Sequence, residues 1–218
     1  MSVIPLDQDV ILGPEAAGVL MTPEEFDAIE EYDENYRYEL VHGVLVVTPI
    51  PLAEETGPNE LLGYKLLYYR EHHPQGSALD HTLPQQYVRT RSGRRIADRL
   101  IWTGLGRLPN RRKDTPSIAV EFVLAGRRSR QRDYVDKRQE YEEAGIQQYW
   151  IIDRFQRTLM VIRFLPTGVE EKTISEGQTY QTALLPGFEL PLARLLEAAD
   201  REAQGGRIAQ EEFQESAC

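Results

Sequence analysis

Two apolar runs constrain this chain more than anything else in it. Arg94 to Trp102 reads R-R-I-A-D-R-L-I-W and Ser117 to Val123 reads S-I-A-V-E-F-V; each carries one acid among side chains that belong in a core. Successive side chains of a strand point to opposite faces, so Asp98 shares a face with Ile96, Leu100 and Trp102. Glu121 shares one with Ala119 and Val123, and the opposite face, Ile118, Val120 and Phe122, is no more polar. An ionised carboxylate among apolar neighbours is costly unless it is paired or bound to a metal. Two such acids on neighbouring strands therefore call for a shared cation.

A predicted helix follows the second run. Asp133 stands near its start and Gly145 is placed to stop it. Tyr134, Lys137 and Tyr141 fall at i, i+3 and i+7 and share a face, so the lysine points where the tyrosines point. The plain alternative is a surface pair between Asp133 and Lys137 at i, i+4, which contributes about 0.3–0.5 kcal/mol. Glu39 is a third acid, in the predicted strand Tyr36 to Val41. It either completes a metal shell or lies at the rim of a half-exposed strand. His42 reads as a turn residue.

At 218 residues and 41% hydrophobic content, the chain can bury one sizeable core and needs no second domain. The expected division is a flexible arm over 1–20, one domain over 21–201 and a polar tail over 202–218. No apolar run approaches the roughly 20 residues of a membrane span, and M-S-V-I-P-L-D-Q-D does not resemble a signal peptide. The one cysteine, Cys218, excludes a disulfide framework and a thiolate metal site. A cytoplasmic protein is expected. The net charge of -10 argues against a surface coated with phosphate-binding lysines. Basic residues nevertheless crowd the centre, and Arg127, Arg128, Arg130 and Arg132 would flank the proposed site, where phosphates would lie. The alternative for them is a solvated loop and helix start.

The remaining elements follow from local signals. Thr22-Pro23-Glu24-Glu25 is a capping box with proline at the first helical position, opening a helix to about Glu31. Tyr36 to Val41 and Val44 to Thr48 form a hairpin around His42-Gly43. A helix is predicted over Asn59 to His72, with His72 and His73 suiting its C-terminal dipole. Asp80 and His81 read as loop before a second hairpin, Gln85 to Arg91 and Arg94 to Trp102. Strands over Gln148 to Asp153 and Thr158 to Phe164 flank a polar turn. Val169 to Ile174 and Thr179 to Leu184 read as peripheral strands. Pro186-Gly187-Phe188 is expected to lead into a short helix, Leu192 to Arg201, before a frayed or disordered tail.

Four stretches carry a resemblance: Y-E-L-V-H-G at Tyr38 to Gly43, A-D at Ala97-Asp98, V-E-F-V at Val120 to Val123, and the block from Arg132 to Asp153. Together they resemble the Uma2 family of restriction-endonuclease-like proteins, a branch of the PD-(D/E)xK nuclease superfamily, over roughly Thr22 to Leu195. The resemblance implies an α/β fold with a restriction-endonuclease-like core: a central mixed β-sheet flanked by α-helices, here with added β-hairpins. It also implies a divalent metal held by two acids. Asp98 matches the PD aspartate and Glu121 the acid of (D/E)xK. Val123 stands where the lysine would follow, and branches whose lysine has moved to the next helix point to Lys137. Glu39 matches the Y-E-L acid. Ala97 replaces the proline and His42 the usual acidic or amide turn residue.

The implied activity is hydrolysis of a nucleic-acid phosphodiester, DNA in the first instance. Mg²⁺, or Mn²⁺ in its place, would be held by Asp98, Glu121 and the carbonyl of Phe122, with Lys137 offsetting charge on the phosphate. Double-strand cutting by one site per chain favours a homodimer. One competing expectation is a catalytically silent nuclease-fold protein that binds nucleic acid or regulates. Another is a two-carboxylate glycosidase, which would need exposed aromatics beside the acids; Trp102 and Trp150 lie in core-like runs instead.

Overall fold

The computed structural model describes residues 12–50, 53–124 and 130–216. Its helices are α1 (Pro23–Asp27), α2 (Ala53–His72), α3 (Lys137–Glu143) and α4 (Leu192–Ser216). A π-helical turn, Arg132–Asp136, precedes α3. The strands are β1 (Tyr36–Val41), β2 (Val44–Pro49), β3 (Leu79–Thr90), β4 (Gly93–Thr103), β5 (Ile118–Phe122), β6 (Gln148–Asp153), β7 (Thr158–Leu165), β8 (Gly168–Ser175), β9 (Thr179–Thr182) and β10 (Leu185–Pro191).

Eight strands make one mixed sheet in the order β2-β1-β4-β5-β6-β7-β8, with β3 on the other edge of β4. Among the described strands only β5 and β6 pair in parallel, so the chain between them must cross over, and it does so through α3. All five β5 residues are buried, as a strand covered on both faces requires. The expected alternation holds. Ile118, Val120 and Phe122 pack with Leu62 and Leu66 of α2 and Leu192, Leu195 and Leu196 of α4. Ala119 and Val123 pack on the other side with Leu100, Trp102, Tyr141 and Tyr149. The mixed sheet is thus flanked by helices on both faces.

The Thr22 capping box forms, Oγ1 accepting from the N–H of Glu25 while the Glu25 carboxylate accepts from Thr22 N–H. Its helix is shorter than expected and ends at Asp27. Residues 1–11 of the expected arm lie outside the described residues. Leu12 is buried and bridges to Tyr32, and Leu20 bridges to Val44, laying this segment on the first hairpin.

Four local expectations are corrected. Helix α2 starts at Ala53, ahead of the expected Asn59, and carries Pro58 inside it. Asp80 and His81 belong to β3, and the Asp80 carboxylate accepts from the N–H groups of Leu105 (2.7 Å) and Gly106 (2.8 Å), fastening the turn after β4. Pro186-Gly187-Phe188 lies in β10, where Gly187 takes φ +77 and Phe188 and Leu190 alternate inward. Tertiary pairing with β9 overrides the turn signal. The expected short last helix continues to Ser216. No helix among the described residues is long and apolar enough to cross a membrane.

The sheet forks along β4. One edge of β4 pairs with β3 throughout, while the other meets β1 only at Leu40↔Arg94 and β5 only over Arg99↔Val120 to Ile101↔Ile118. Between those contacts the backbone of Ile96 faces no strand on that edge. Buried peptide groups need partners, and side chains supply them: Glu39 Oε1 accepts from Ile96 N–H (2.8 Å), and Lys137 Nζ donates to Ile96 O (2.8 Å). From the α2 side, Asn59 Nδ2 donates to Asp98 O at 2.7 Å.

Asn59 also holds Arg99, a guanidinium buried under α2. Arg99 Nε donates to Asn59 Oδ1 (2.7 Å), Nη2 to the Asn59 carbonyl (2.9 Å) and Nη1 to Thr82 Oγ1 (3.3 Å). Burial pulls this arginine below its usual range. There is room for it because residue 63 is glycine; a Cβ there would stand 2.5 Å from Nη2. Asn59→Leu leaves the guanidinium buried without its main acceptor and is expected to cost about 2–3 kcal/mol, read as a lower urea midpoint with unchanged m. An unchanged midpoint would mean that Arg99 is solvated in solution.

Candidate active site

The site lies in the fork. Continuing the β4–β5 ladder one step beyond Arg99↔Val120 brings Asp98 opposite Glu121, and facing residues of an antiparallel pair project to the same side. Asp98 is half-buried. Its Oδ2 accepts from Phe122 N–H at 2.8 Å and its Oδ1 from Gln85 Nε2 at 3.1 Å. Glu121 is 2% exposed, and its Oε1 receives both the Tyr141 hydroxyl (2.8 Å) and Lys137 Nζ (2.8 Å).

The helical spacing picked the right face of the crossover helix. Lys137 and Tyr141 are buried over Glu121, and Tyr134 reaches Asp153 Oδ2 at 3.1 Å. The alternative surface pair of Lys137 with Asp133 is corrected: Asp133 is fully buried beside Arg132, and Lys137 pairs with Glu121. Gly145 takes φ +83 and ends the helix as expected. A π-helical turn just ahead of Lys137 leads into α3.

Burial is the main influence on Glu121. With Asp98 and Asp133 adding their repulsion and Lys137 pulling the other way, its carboxyl is pushed up to about 8. Burial also disfavours the Lys137 ammonium, but Glu121, Glu39 and Asp133 outweigh it and hold the lysine above its usual range. The site therefore has a high affinity for positive charge, protons included.

Glu39 is in the fork, bonded to Ile96 N–H, but it does not make a three-acid shell. Among the described residues no group of three or more His, Cys, Asp or Glu side chains could hold a metal. What remains is two carboxylates and neutral oxygens. That donor set fits Mg²⁺, which is commonly held by one or two carboxylates and keeps several waters. Around it lies a layer absent from the sequence reading. Arg95 Nε is 3.1 Å from Glu140 Oε2 and 4.0 Å from Glu39 Oε1, and His42 Nε2 is 3.7 Å from Glu140 Oε1. Glu140 lies one helical turn from Lys137, which could have flagged it. No local pattern pointed to Arg95. Gln85 was also missed, and its φ of +52 inside a strand could be known only from the fold.

Two of the four expected phosphate contacts, Arg127 and Arg128, lie outside the described residues. Arg130 and Arg132 are each about one-third exposed, and both are committed to carboxylates: Arg130 to Asp153 (3.0 Å) and Arg132 to Asp133 (2.9 Å). Arg111, Arg112 and Lys113, in the loop after β4, are exposed and make no ion pair among the described residues.

The chain is similar to known proteins at two levels. The Uma2 family model, described as "Putative restriction endonuclease", matches residues 23–193. In fold, the chain is similar to a crystal structure of a putative nuclease from Anabaena variabilis. That match has a TM-score of 0.64 at 15% identity and covers 82% of this chain and 99% of the other. No curated protein matches the chain significantly.

Proposed function

The chain belongs to the Uma2 family of putative restriction endonucleases, and from that premise we propose that it is a divalent-metal-dependent endonuclease acting on nucleic acid, DNA in the first instance. The observation that carries the reading is the pairing in the fork: Asp98 and Glu121 on adjacent strands, with the Lys137 ammonium 2.8 Å from Glu121. Asp98, Glu121 and the carbonyl of Phe122 would hold Mg²⁺, with Mn²⁺ as substitute. When bound, the ion would supply Lewis-acid stabilisation of charge on the phosphate. Lys137 donates to Glu121 and to Ile96 O, which leaves its third N–H for a phosphate oxygen. In these buried surroundings such a fixed charge acts more strongly than it would in water. Tyr141 holds the Glu121 oxygen that Lys137 also binds and fixes its rotamer.

The test is cleavage of supercoiled plasmid, single-stranded DNA and RNA by the full chain, with Mg²⁺, with Mn²⁺ and with chelator. Cutting that needs the cation and is lost in chelator supports the reading, and the preferred substrate sets the nucleic acid. Duplex cutting by one site per chain would call for two copies. A second reading draws on the same fork. Glu39 and Lys137 both satisfy the backbone of Ile96, a structural task that a catalytically silent nucleic-acid binder would keep. Salt-sensitive binding without cutting under any cation would select it.

The electrostatics predict a pH dependence. Below about 8 Glu121 holds a proton that a cation must displace. Mn²⁺ affinity should therefore rise with pH, about tenfold per unit up to that value, and level off above it. Titration calorimetry at pH 6, 7, 8 and 9 reads this directly, and a flat profile would take Glu121 out of the ligand set.

A further inference from the structure

Gln85 stands directly across β3–β4 from Asp98, between the paired positions Pro84↔Arg99 and Gln86↔Ala97, yet is itself unpaired there. Among the described residues it is one of three non-glycine residues with positive φ, and of those the one inside a strand. Such a conformation is unfavourable for a long side chain and persists only where the surroundings impose it. Its amide lies against the carboxylate of Asp98, Nε2 donating to Oδ1 at 3.1 Å. The other end of the amide, Oε1, is buried and has no hydrogen-bond partner among the described residues. A strained backbone that delivers an orphaned buried oxygen beside an acid is poorly explained by packing.

We propose that Gln85 is a further oxygen donor of the divalent-cation site, acting with Asp98. This rests on the reading that Asp98 holds the cation. Without a cation, the amide offers its N–H to Asp98. With one, the amide can turn over so that Oε1 and Asp98 Oδ1 face the same positive charge. An amide presents two donors on one side and an acceptor on the other, and a hard cation takes amide oxygens as readily as water. The bend at Gln85 moves the residue out of the β3 ladder and so lets its side chain reach the acid on β4.

The experiment is Mn²⁺ titration by calorimetry on the full chain, with thermal melts in chelator and in Mn²⁺. The proteins are wild type, Gln85→Gly, Gln85→Glu and Asp98→Ala. Glycine suits the positive φ, so Gln85→Gly should melt higher than wild type in chelator while binding Mn²⁺ at least about tenfold more weakly. Gln85→Glu, of nearly the same shape, should melt lower in chelator because two carboxylates meet, bind Mn²⁺ more tightly and gain more in Tm when it is added. A merely structural glutamine would not move stability and affinity in opposite directions. If Asp98→Ala abolishes binding while both Gln85 variants bind as wild type does, the metal site stands and the proposal is overturned. If wild type binds no Mn²⁺, the metal site falls and the role of Gln85 falls with it.

Discussion

Asp98→Asn should lose metal-dependent cleavage by at least about 1,000-fold, roughly 4 kcal/mol of transition-state stabilisation, while remaining folded. The fold survives because both hydrogen bonds can be remade. The new side-chain oxygen still accepts from Phe122 N–H, and the new amide nitrogen can donate to Gln85 Oε1, which lacks a partner in wild type. What disappears is the negative charge, and with it most of the affinity for a hard cation. Measuring kcat/KM on the preferred nucleic acid beside a urea unfolding curve separates the two effects. Wild-type cutting with the aspartate neutralised would remove Asp98 from the chemistry altogether.

Lys137→Met should be the most destabilising single change at the site, by about 3–5 kcal/mol at pH 9. Removing one member of a buried ion pair leaves the other uncompensated, and Glu121 is 2% exposed with Lys137 as its cation at 2.8 Å. The loss should shrink toward pH 6. The Glu121 carboxyl is already raised by burial, and without the ammonium it rises further above its unfolded value. A carboxyl raised in the folded state favours folding at low pH, and that contribution is lost as pH climbs through the folded value. Combining Lys137→Met with Glu121→Gln should recover much of the stability, since neither position of the pair then carries a charge, although Ile96 O still lacks its donor. Urea midpoints at pH 6 and 9 for the three variants test this. A Lys137→Met protein as stable as wild type at pH 9 would mean that the pair is solvated.

The part of the site legible in the sequence is the part written in short-range periodicity. Period-two alternation put Glu121 on the face of Ala119 and Val123, and the i, i+3, i+7 spacing put Lys137 and Tyr141 on one face of the helix; the structure joins them through one oxygen of Glu121. The fork between β1 and β5 was not legible, because it depends on which strands share an edge of β4, a matter of long-range pairing. Gln85 escaped for the same reason: glutamine has no special liking for positive φ, and only the partner strand imposes it. Pro186-Gly187 misled because turn signals outrank strand signals locally, whereas the pairing of β9 with β10 is settled by burial of Phe188 and Leu190.

The fork has a consequence for telling active proteins of this design from inactive ones. Glu39 and Lys137 act as stitches across a split sheet, one tied to the N–H and the other to the carbonyl of Ile96. A descendant that gave up chemistry would still need them to stay folded, so finding them in a relative says little about whether it cuts. Gln85 carries a strained backbone and an orphaned oxygen with no comparable return in stability. A lineage released from catalysis would be free to relax that corner, making the Gln85 position the more telling one to inspect.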